Sequence, residues 1–327
     1  MPQPFDAVLL IAFGGPQGRD DIRPFLANVL RGRRVAPERV EEVVHHYELF
    51  GGVSPITELT LRQAAGLRAR LAEEGLPLGV YSGMRNWHPY LTDTLERMAA
   101  DGVRRAIGFV LAAHRSYSSC TQYRENVRDA QAALAAAGVR PPDVTFVDDW
   151  HAHAGYVETC ARHIEDAIDR LPATARARAR LVFTAHSIPL EMAERYPYRE
   201  QLLESARLVA ARVARDDWAL VYQSRSGRAE DPWLGPDICD YLRAERARGL
   251  EAAIVSPIGF VSDHIEVLYD LDREAAEVGR AIGLPIVRAA AANDDPVFLD
   301  MMADVVGTIW ARYAGGRRLP LVSLPRA

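Results

Sequence analysis

Short apolar runs alternate with amphipathic stretches along the whole chain. Ala7-Val8-Leu9-Leu10-Ile11-Ala12-Phe13 is uniformly apolar and is closed by Gly14-Gly15-Pro16. Such a run with a turn signal behind it predicts a strand buried on both faces. Leu78–Ser82, Arg105–Leu111 and Val144–Val147 give three further strands, the first of them weaker. Leu61 to Glu74 and Ser119 to Ala137 read as helices between them. A second series follows, with strands at Leu181–Ala185, Trp218–Gln223, Ala252–Pro257 and Leu284–Val287. Pro296 to Tyr313 has the pattern of a terminal helix, and the tail from Gly315-Gly316-Arg317-Arg318 is expected to be loosely ordered.

Two strand series, each interleaved with helical segments, predict an α/β protein of two domains with mainly parallel sheets. The break falls near Asp148-Asp149-Trp150-His151, giving an N-terminal domain at 1–150 and a C-terminal domain with the terminal helix at 151–327. Pro141-Pro142 and Pro172 punctuate the region, and no long flexible linker is visible. The halves share a layout but no residue-level repeat. The length, 327 residues, also suits two domains.

Composition narrows the function. Hydrophobic residues make up 49% and charged residues 25%, an ordinary globular mix that excludes a disordered or collagen-like chain. The net charge of -5 gives no general attraction to nucleic acid or an anionic membrane. Cys120, Cys160 and Cys239 form no CxxC pair, so a zinc ribbon or thioredoxin-like motif is not available, and so few cysteines suit a reducing cytoplasm. The N-terminus lacks the basic region of a signal peptide, and no stretch approaches the roughly 20 apolar residues of a membrane span.

Two constellations can carry chemistry. Phe183-Thr184-Ala185-His186-Ser187-Ile188-Pro189 places a histidine at the C-terminal edge of a buried strand, where open α/β sheets bind ligands. Histidine exchanges protons near neutral pH, so His186 is a candidate base or ligand; a structural histidine capping the strand remains equally open. In the second, Pro257 to Glu266 follows another buried strand, and Ser262 or Asp263 is placed to cap a helix behind it. Glu266, Asp270 and Glu274 then fall at i, i+4 and i+8 on one helix face. Like charges at that spacing repel, and a divalent cation would relieve them. A solvated acidic face is the alternative. The glycine turns are weaker: Phe13 stands where a dinucleotide fingerprint needs glycine, Gly51-Gly52-Val53-Ser54-Pro55 lacks the lysine of a P-loop, and no GxSxG elbow occurs.

Taken together, Phe183 to Pro189, Gln223-Ser224-Arg225-Ser226-Gly227 with Trp233-Leu234-Gly235-Pro236, Pro257 to Asp272, Gly51 to Pro55 and Gly83-Met84-Arg85-Asn86-Trp87 resemble the ferrochelatase family. The resemblance runs from about Val8 to Tyr313 and implies two Rossmann-like domains with a porphyrin in the cleft between them. It implies insertion of ferrous iron into that porphyrin in haem biosynthesis. His186 matches the catalytic histidine and Glu266 its acidic partner, with metal passing along Glu266, Asp270 and Glu274. The segment around Phe13 would cover the opposite porphyrin face; some members have tyrosine at that position, and phenylalanine cannot ligate iron. Arg31, Tyr47, Ser54 and Tyr123 look like positions near the propionates of coproporphyrin III, and the Ser118 to Arg124 segment looks like the actinobacterial, coproporphyrin-using branch.

Members of that branch often hold an iron–sulfur cluster through one internal and three C-terminal cysteines. Cys160 is a candidate for the first, but nothing after Cys239 supplies the others, so no cluster and no tightly bound cofactor is expected. A cytoplasmic monomer without an integral membrane segment, with porphyrin and ferrous iron as its partners and no nucleic acid, completes the expectation. Rival readings are a protoporphyrin IX ferrochelatase, a cobalt or nickel chelatase, and a non-catalytic porphyrin or metal carrier, which would not need both His186 and Glu266.

Overall fold

A computed structural model describes residues 3–32, 35–226 and 230–315. The N-terminal half runs β1 (Ala7–Ala12), α1 (Ile22–Val29), α2 (Pro37–Glu48), α3 (Ile56–Glu73), β2 (Gly79–Met84), α4 (Leu91–Ala100), β3 (Arg105–Val110), α5 (Gln122–Ala136) and β4 (Asp143–Phe146). The C-terminal half runs α6 (Ala154–Ile168), α7 (Ala173–Arg176), β5 (Ala179–His186), α8 (Leu190–Arg195), α9 (Tyr198–Arg212), β6 (Trp218–Gln223), α10 (Ile238–Ala247), β7 (Ala252–Ser256), α11 (Ile265–Val267), α12 (Ala276–Ala281), β8 (Ile286–Arg288) and α13 (Pro296–Ala314).

The strands form two four-stranded sheets, β2-β1-β3-β4 and β6-β5-β7-β8, with every pairing parallel. The two orders are equivalent, so β1 and β5 hold the same place, second from an edge. Parallel strands need both faces covered, and the burial of every residue of β1 shows why its sequence is uniformly apolar. Successive side chains alternate between faces. Leu9 and Ile11 pack with Leu95 and Val127 of α4 and α5, while Val8 and Leu10 face a shared core built with α3, α6, α9 and α13. In the second sheet Leu181 and Phe183 enter that same core, and Val182 turns to Ile238 and Leu242 of α10.

The central layer joins the halves. Helix α13 packs against both α3 and α6, with Phe298, Met302 and Val306 fully buried. Truncating Phe298 to alanine would cost about 3–5 kcal/mol at such a site. The last helix therefore belongs to the layer shared by the two sheets.

Several expectations are corrected at their ends. Strand β1 stops at Ala12, because beyond it the backbone serves the turn after β2: Arg85 N–H bonds Ala12 O at 3.1 Å and Asn86 N–H bonds Phe13 O at 3.1 Å. The helix expected from Leu61 starts at Ile56, where the Thr57 hydroxyl meets the Gly15 backbone. The helix expected from Ser119 opens with a π-helical turn, Tyr117–Thr121, capped by reciprocal Ser116 and Ser119 contacts. The acidic segment also changes form: after the short α11 it becomes a π helix, Leu268–Ala275. Neither Ser262 nor Asp263 caps it. His264 stands at its N-cap, and Asp263 instead bonds Arg288 at 2.8 Å and Asn293 at 2.9 Å. The tail from Gly316 onward lies outside the described residues.

Candidate active site

Strand β5 delivers His186 to the C-terminal edge of the second sheet, in register with Gln223 of β6. The loop after β7 closes over the strand through Gly259, whose N–H bonds Thr184 O at 3.0 Å. A Cβ on Gly259 would lie 2.5 Å from Ala185 Cβ, so only glycine allows this approach. The loop then leads to Glu266, and Glu266 Oε2 stands 3.8 Å from His186 Nε2.

The other imidazole nitrogen fixes the chemistry of that pair. His186 Nδ1 is hydrogen-bonded to the Ser187 carbonyl, which can only accept. The proton of a neutral ring therefore sits on Nδ1, and Nε2 faces Glu266 with its lone pair. A cation or a proton between them would relieve two acceptors that face each other. His186 is one-third exposed and Glu266 half exposed, so both reach solvent. The pair can therefore accept a proton or ligate a metal arriving from outside.

Asp270 lies one turn further along. Gln223 Nε2 donates to it at 3.2 Å and the Ser224 hydroxyl also donates to it; the same Gln223 nitrogen reaches Glu266 O at 3.4 Å. Ser224 adopts φ 58, a left-handed conformation that is strained for serine. Burial pushes the Asp270 carboxyl up to about 7, against the two donors that favour its charge. Burial also raises Glu274, with Asp237 the next cause. His264, which the sequence reading passed over, is held below its ordinary value by burial and packs edge-on to Phe260 at 5.0 Å. Among the described residues, no three His, Cys, Asp or Glu side chains converge as a metal cage.

The facing wall comes from the N-terminal half. Phe13 follows β1 and begins an aromatic chain: Phe13 to Phe25 at 6.1 Å, then Phe25 to Tyr47 at 5.7 Å and to Trp87 at 6.3 Å. Tyr47 is buried, and burial, then the nearby Glu266 charge, raise its hydroxyl above the ordinary value. Ser54 is buried beneath Gly15, where a Cβ would stand 2.6 Å from Ser54 Cβ. Burial pushes the Tyr123 hydroxyl up to about 12, partly offset by Arg85.

Arg85 is the main residue the sequence reading left out of the site. Its guanidinium lies 5.7 Å from the Phe13 ring centroid and 5.3 Å from that of Tyr123, and it donates to Gln122 Oε1 at 2.9 Å. The signal was present: Arg85 sits in the Gly83 to Trp87 motif, directly behind β2 at the edge where Phe13 emerges. Arg31 is placed differently. It is exposed at the end of α1 and donates to Asn28 at 2.7 Å, while Asn28 holds the turn through Asn86 O and the Tyr90 hydroxyl. Phe13 and Tyr47 thus share one aromatic cluster, Arg85 links Phe13 to Tyr123, Ser54 lies beside Gly15, and Arg31 is exposed at the end of α1.

Fold and site together define a two-domain α/β protein of the chelatase architecture. The sirohydrochlorin chelatase SirB from Bacillus subtilis, solved with Fe3+, superposes with a TM-score of 0.58 at 11% identity, covering 95% of this chain and 98% of that one. SirB solved with cobalt, from Bacillus subtilis subspecies spizizenii, gives a TM-score of 0.56 at 11% identity, covering 95% and 97%. At that identity the likeness concerns the fold.

Sequence settles the family. The ferrochelatase family model matches residues 5–308, and the chain belongs to that family of enzymes. The coproporphyrin III ferrochelatase of Streptomyces griseus is 47% identical, over 93% of this chain and 85% of its own. That of Mycolicibacterium smegmatis is 44% identical over 92% and 89%, and the ferrochelatase of Rhodopirellula baltica 46% over 93% and 86%.

Proposed function

We propose that this enzyme inserts ferrous iron into coproporphyrin III during haem biosynthesis. The observation that carries the mechanism is the His186–Glu266 pair at 3.8 Å, with a nitrogen lone pair turned toward a carboxylate. Insertion exchanges two pyrrole protons for one Fe2+ and strips the ion of water. An imidazole and a carboxylate side by side can ligate the entering ion and accept the departing protons. Asp270 and Glu274 continue the carboxylate line away from His186. Iron is a substrate in this scheme, and the facing Phe13 contributes an aromatic surface and no ligand.

Substrate choice follows from the facing wall. Coproporphyrin carries four propionates and protoporphyrin two. Arg85 supplies a guanidinium, the group that carboxylates bind best, and the hydroxyls of Tyr47, Ser54 and Tyr123 lie buried in the same half as candidate donors. The names of the Streptomyces and Mycolicibacterium relatives point the same way. The deciding experiment mixes the protein anaerobically with ferrous iron and either coproporphyrin III or protoporphyrin IX and follows the Soret band. Faster turnover of coproporphyrin is expected; equal or reversed rates would assign the protoporphyrin reaction. Binding without turnover would make the protein a carrier, and insertion of cobalt or nickel alone would change the metal.

We also propose that no iron–sulfur cluster is held. Cys160 lies in the shared core, and burial pushes its thiol up to about 12, which disfavours the thiolate a cluster needs. Acid-labile sulfide in the purified protein would refute this. No helix among the described residues is long and apolar enough to cross a membrane. A cytoplasmic monomer is the proposed state, with its two units meeting near residue 150 and α13 bridging them. Sedimentation at micromolar concentration tests the monomer.

A further inference from the structure

On the N-terminal side, α2 ends against the acidic segment. The ring of His46 lies over that of Tyr269 with centroids 3.5 Å apart and planes 15° from parallel. The His46 side chain is 14% exposed, so the stack is built into the joint between the halves. The next residue, Tyr47, enters the buried aromatic cluster that also contains Ile265. The last turn of α2 thus meets the opposite half at Tyr269 and shares a buried cluster with Ile265, one on each side of Glu266.

Between those two points the backbone passes from α11 into the π helix at Leu268. A π helix is a wide, poorly packed turn that persists where its surroundings hold it. Glu266 needs such a hold. Its carboxylate stands 3.8 Å from His186, beyond hydrogen-bond length, so that contact cannot aim it. The C-terminal half anchors the segment on its inner side, through Val267 and Leu271 in its own core and Gln223 at 3.4 Å from the Glu266 carbonyl, and leaves the outer side to the opposite half.

We propose that His46 and Tyr269 are positioning residues: their stack is a clasp across the cleft that fixes the segment carrying Glu266, Asp270 and Glu274. The proposal rests on the insertion reading above and adds to it a pair that touches neither iron nor the pyrrole nitrogens. Burial holds His46 below its ordinary pKa, so it stacks as a neutral ring and a phenyl ring can replace it.

The test uses the full-length enzyme with His46→Ala and His46→Phe, assayed anaerobically with ferrous iron and coproporphyrin III. His46→Ala should lower kcat/KM for iron about tenfold and leave the porphyrin KM within about twofold, as expected when a reacting group is displaced by a fraction of an ångström. His46→Phe should restore most of the loss. A raised porphyrin KM with unchanged iron kinetics would make His46 a porphyrin contact and overturn the clasp. Equal impairment of both variants, or none in His46→Ala, would also overturn it. Hydrogen exchange of the 265–275 segment is read in the same proteins without substrate. It should quicken in His46→Ala and return to the wild-type rate in His46→Phe; unchanged exchange in His46→Ala overturns the clasp. If the wild-type enzyme inserts no iron, the insertion reading fails, and the exchange arm still decides the clasp.

Discussion

Strands β1 and β5 occupy equivalent places in two sheets of the same order, yet the residues at their C-terminal edges differ in kind. Behind β1 stand Phe13, Arg85 and Tyr123, an aromatic and cationic surface. Around the end of β5 stand His186, Glu266 and Asp270, an imidazole and two carboxylates. The sheets offer identical opportunities for side chains to converge at this edge. What separates the two walls is the chemistry placed there: rings and a guanidinium on one, an imidazole and carboxylates on the other. On the insertion reading proposed above, the first edge would meet the porphyrin and the second the iron, so that neither does both tasks.

The sharpest way to break the comparison is to remove the proton acceptor. His186→Ala should lower kcat by at least roughly 10²-fold, the lower range for losing a general base, with the circular dichroism spectrum unchanged. Normal turnover would take His186 out of the mechanism. On the opposite wall, Arg85→Ala should raise the porphyrin KM about tenfold while kcat stays within about threefold, because a charge-assisted hydrogen bond contributes about 1.5–3 kcal/mol and the open cleft returns part of it. A loss confined to kcat would mean that the two walls are not divided as described.

A smaller effect belongs to Tyr123. Tyr123→Phe should narrow the preference for coproporphyrin over protoporphyrin about threefold if the hydroxyl meets a propionate, less than one full hydrogen bond to a charged group. An unchanged ratio of kcat/KM values would reduce Tyr123 to a packing residue beside Arg85.

The smallest expected change is in stability. Asp270 keeps its proton to about 7 in the folded protein, whereas an unfolded chain releases it near 4. Between those values the folded state binds more protons, so this group's contribution to stability falls as pH rises through the window and stays low above it. Asp270→Asn should therefore raise Tm at pH 8 by roughly 1–3 °C and leave it almost unchanged near pH 4. An equal gain at both values would show that burial of the charge is not the cause.

The sequence by itself determined the frame. Uniformly apolar runs such as Ala7–Ala12 form strands buried on both faces, because a parallel sheet covered by helices leaves no polar face to fill. Strand order within each half was not written in those runs, but the placement of His186 was: a polar residue ending such a run must emerge at the sheet's edge. The spacing of Glu266, Asp270 and Glu274 likewise announced a shared environment, although not its form, since local periodicity does not distinguish an α turn from the π turn that tertiary packing imposes.

The tertiary structure alone decided which distant residues meet. Arg85 meets Phe13 because β2 pairs with β1 and brings its following turn beside it, whereas Arg31 bonds Asn28, which itself holds Asn86 and Tyr90. Helix α13 joins the core that both sheets share, since its buried face packs against α3 and α6. His46 meets Tyr269 only because α2 crosses to the opposite half. A pattern along the chain reports which faces must be buried; the partner that buries each is set by long-range packing, where shape and contact select among many apolar surfaces of equal hydrophobicity.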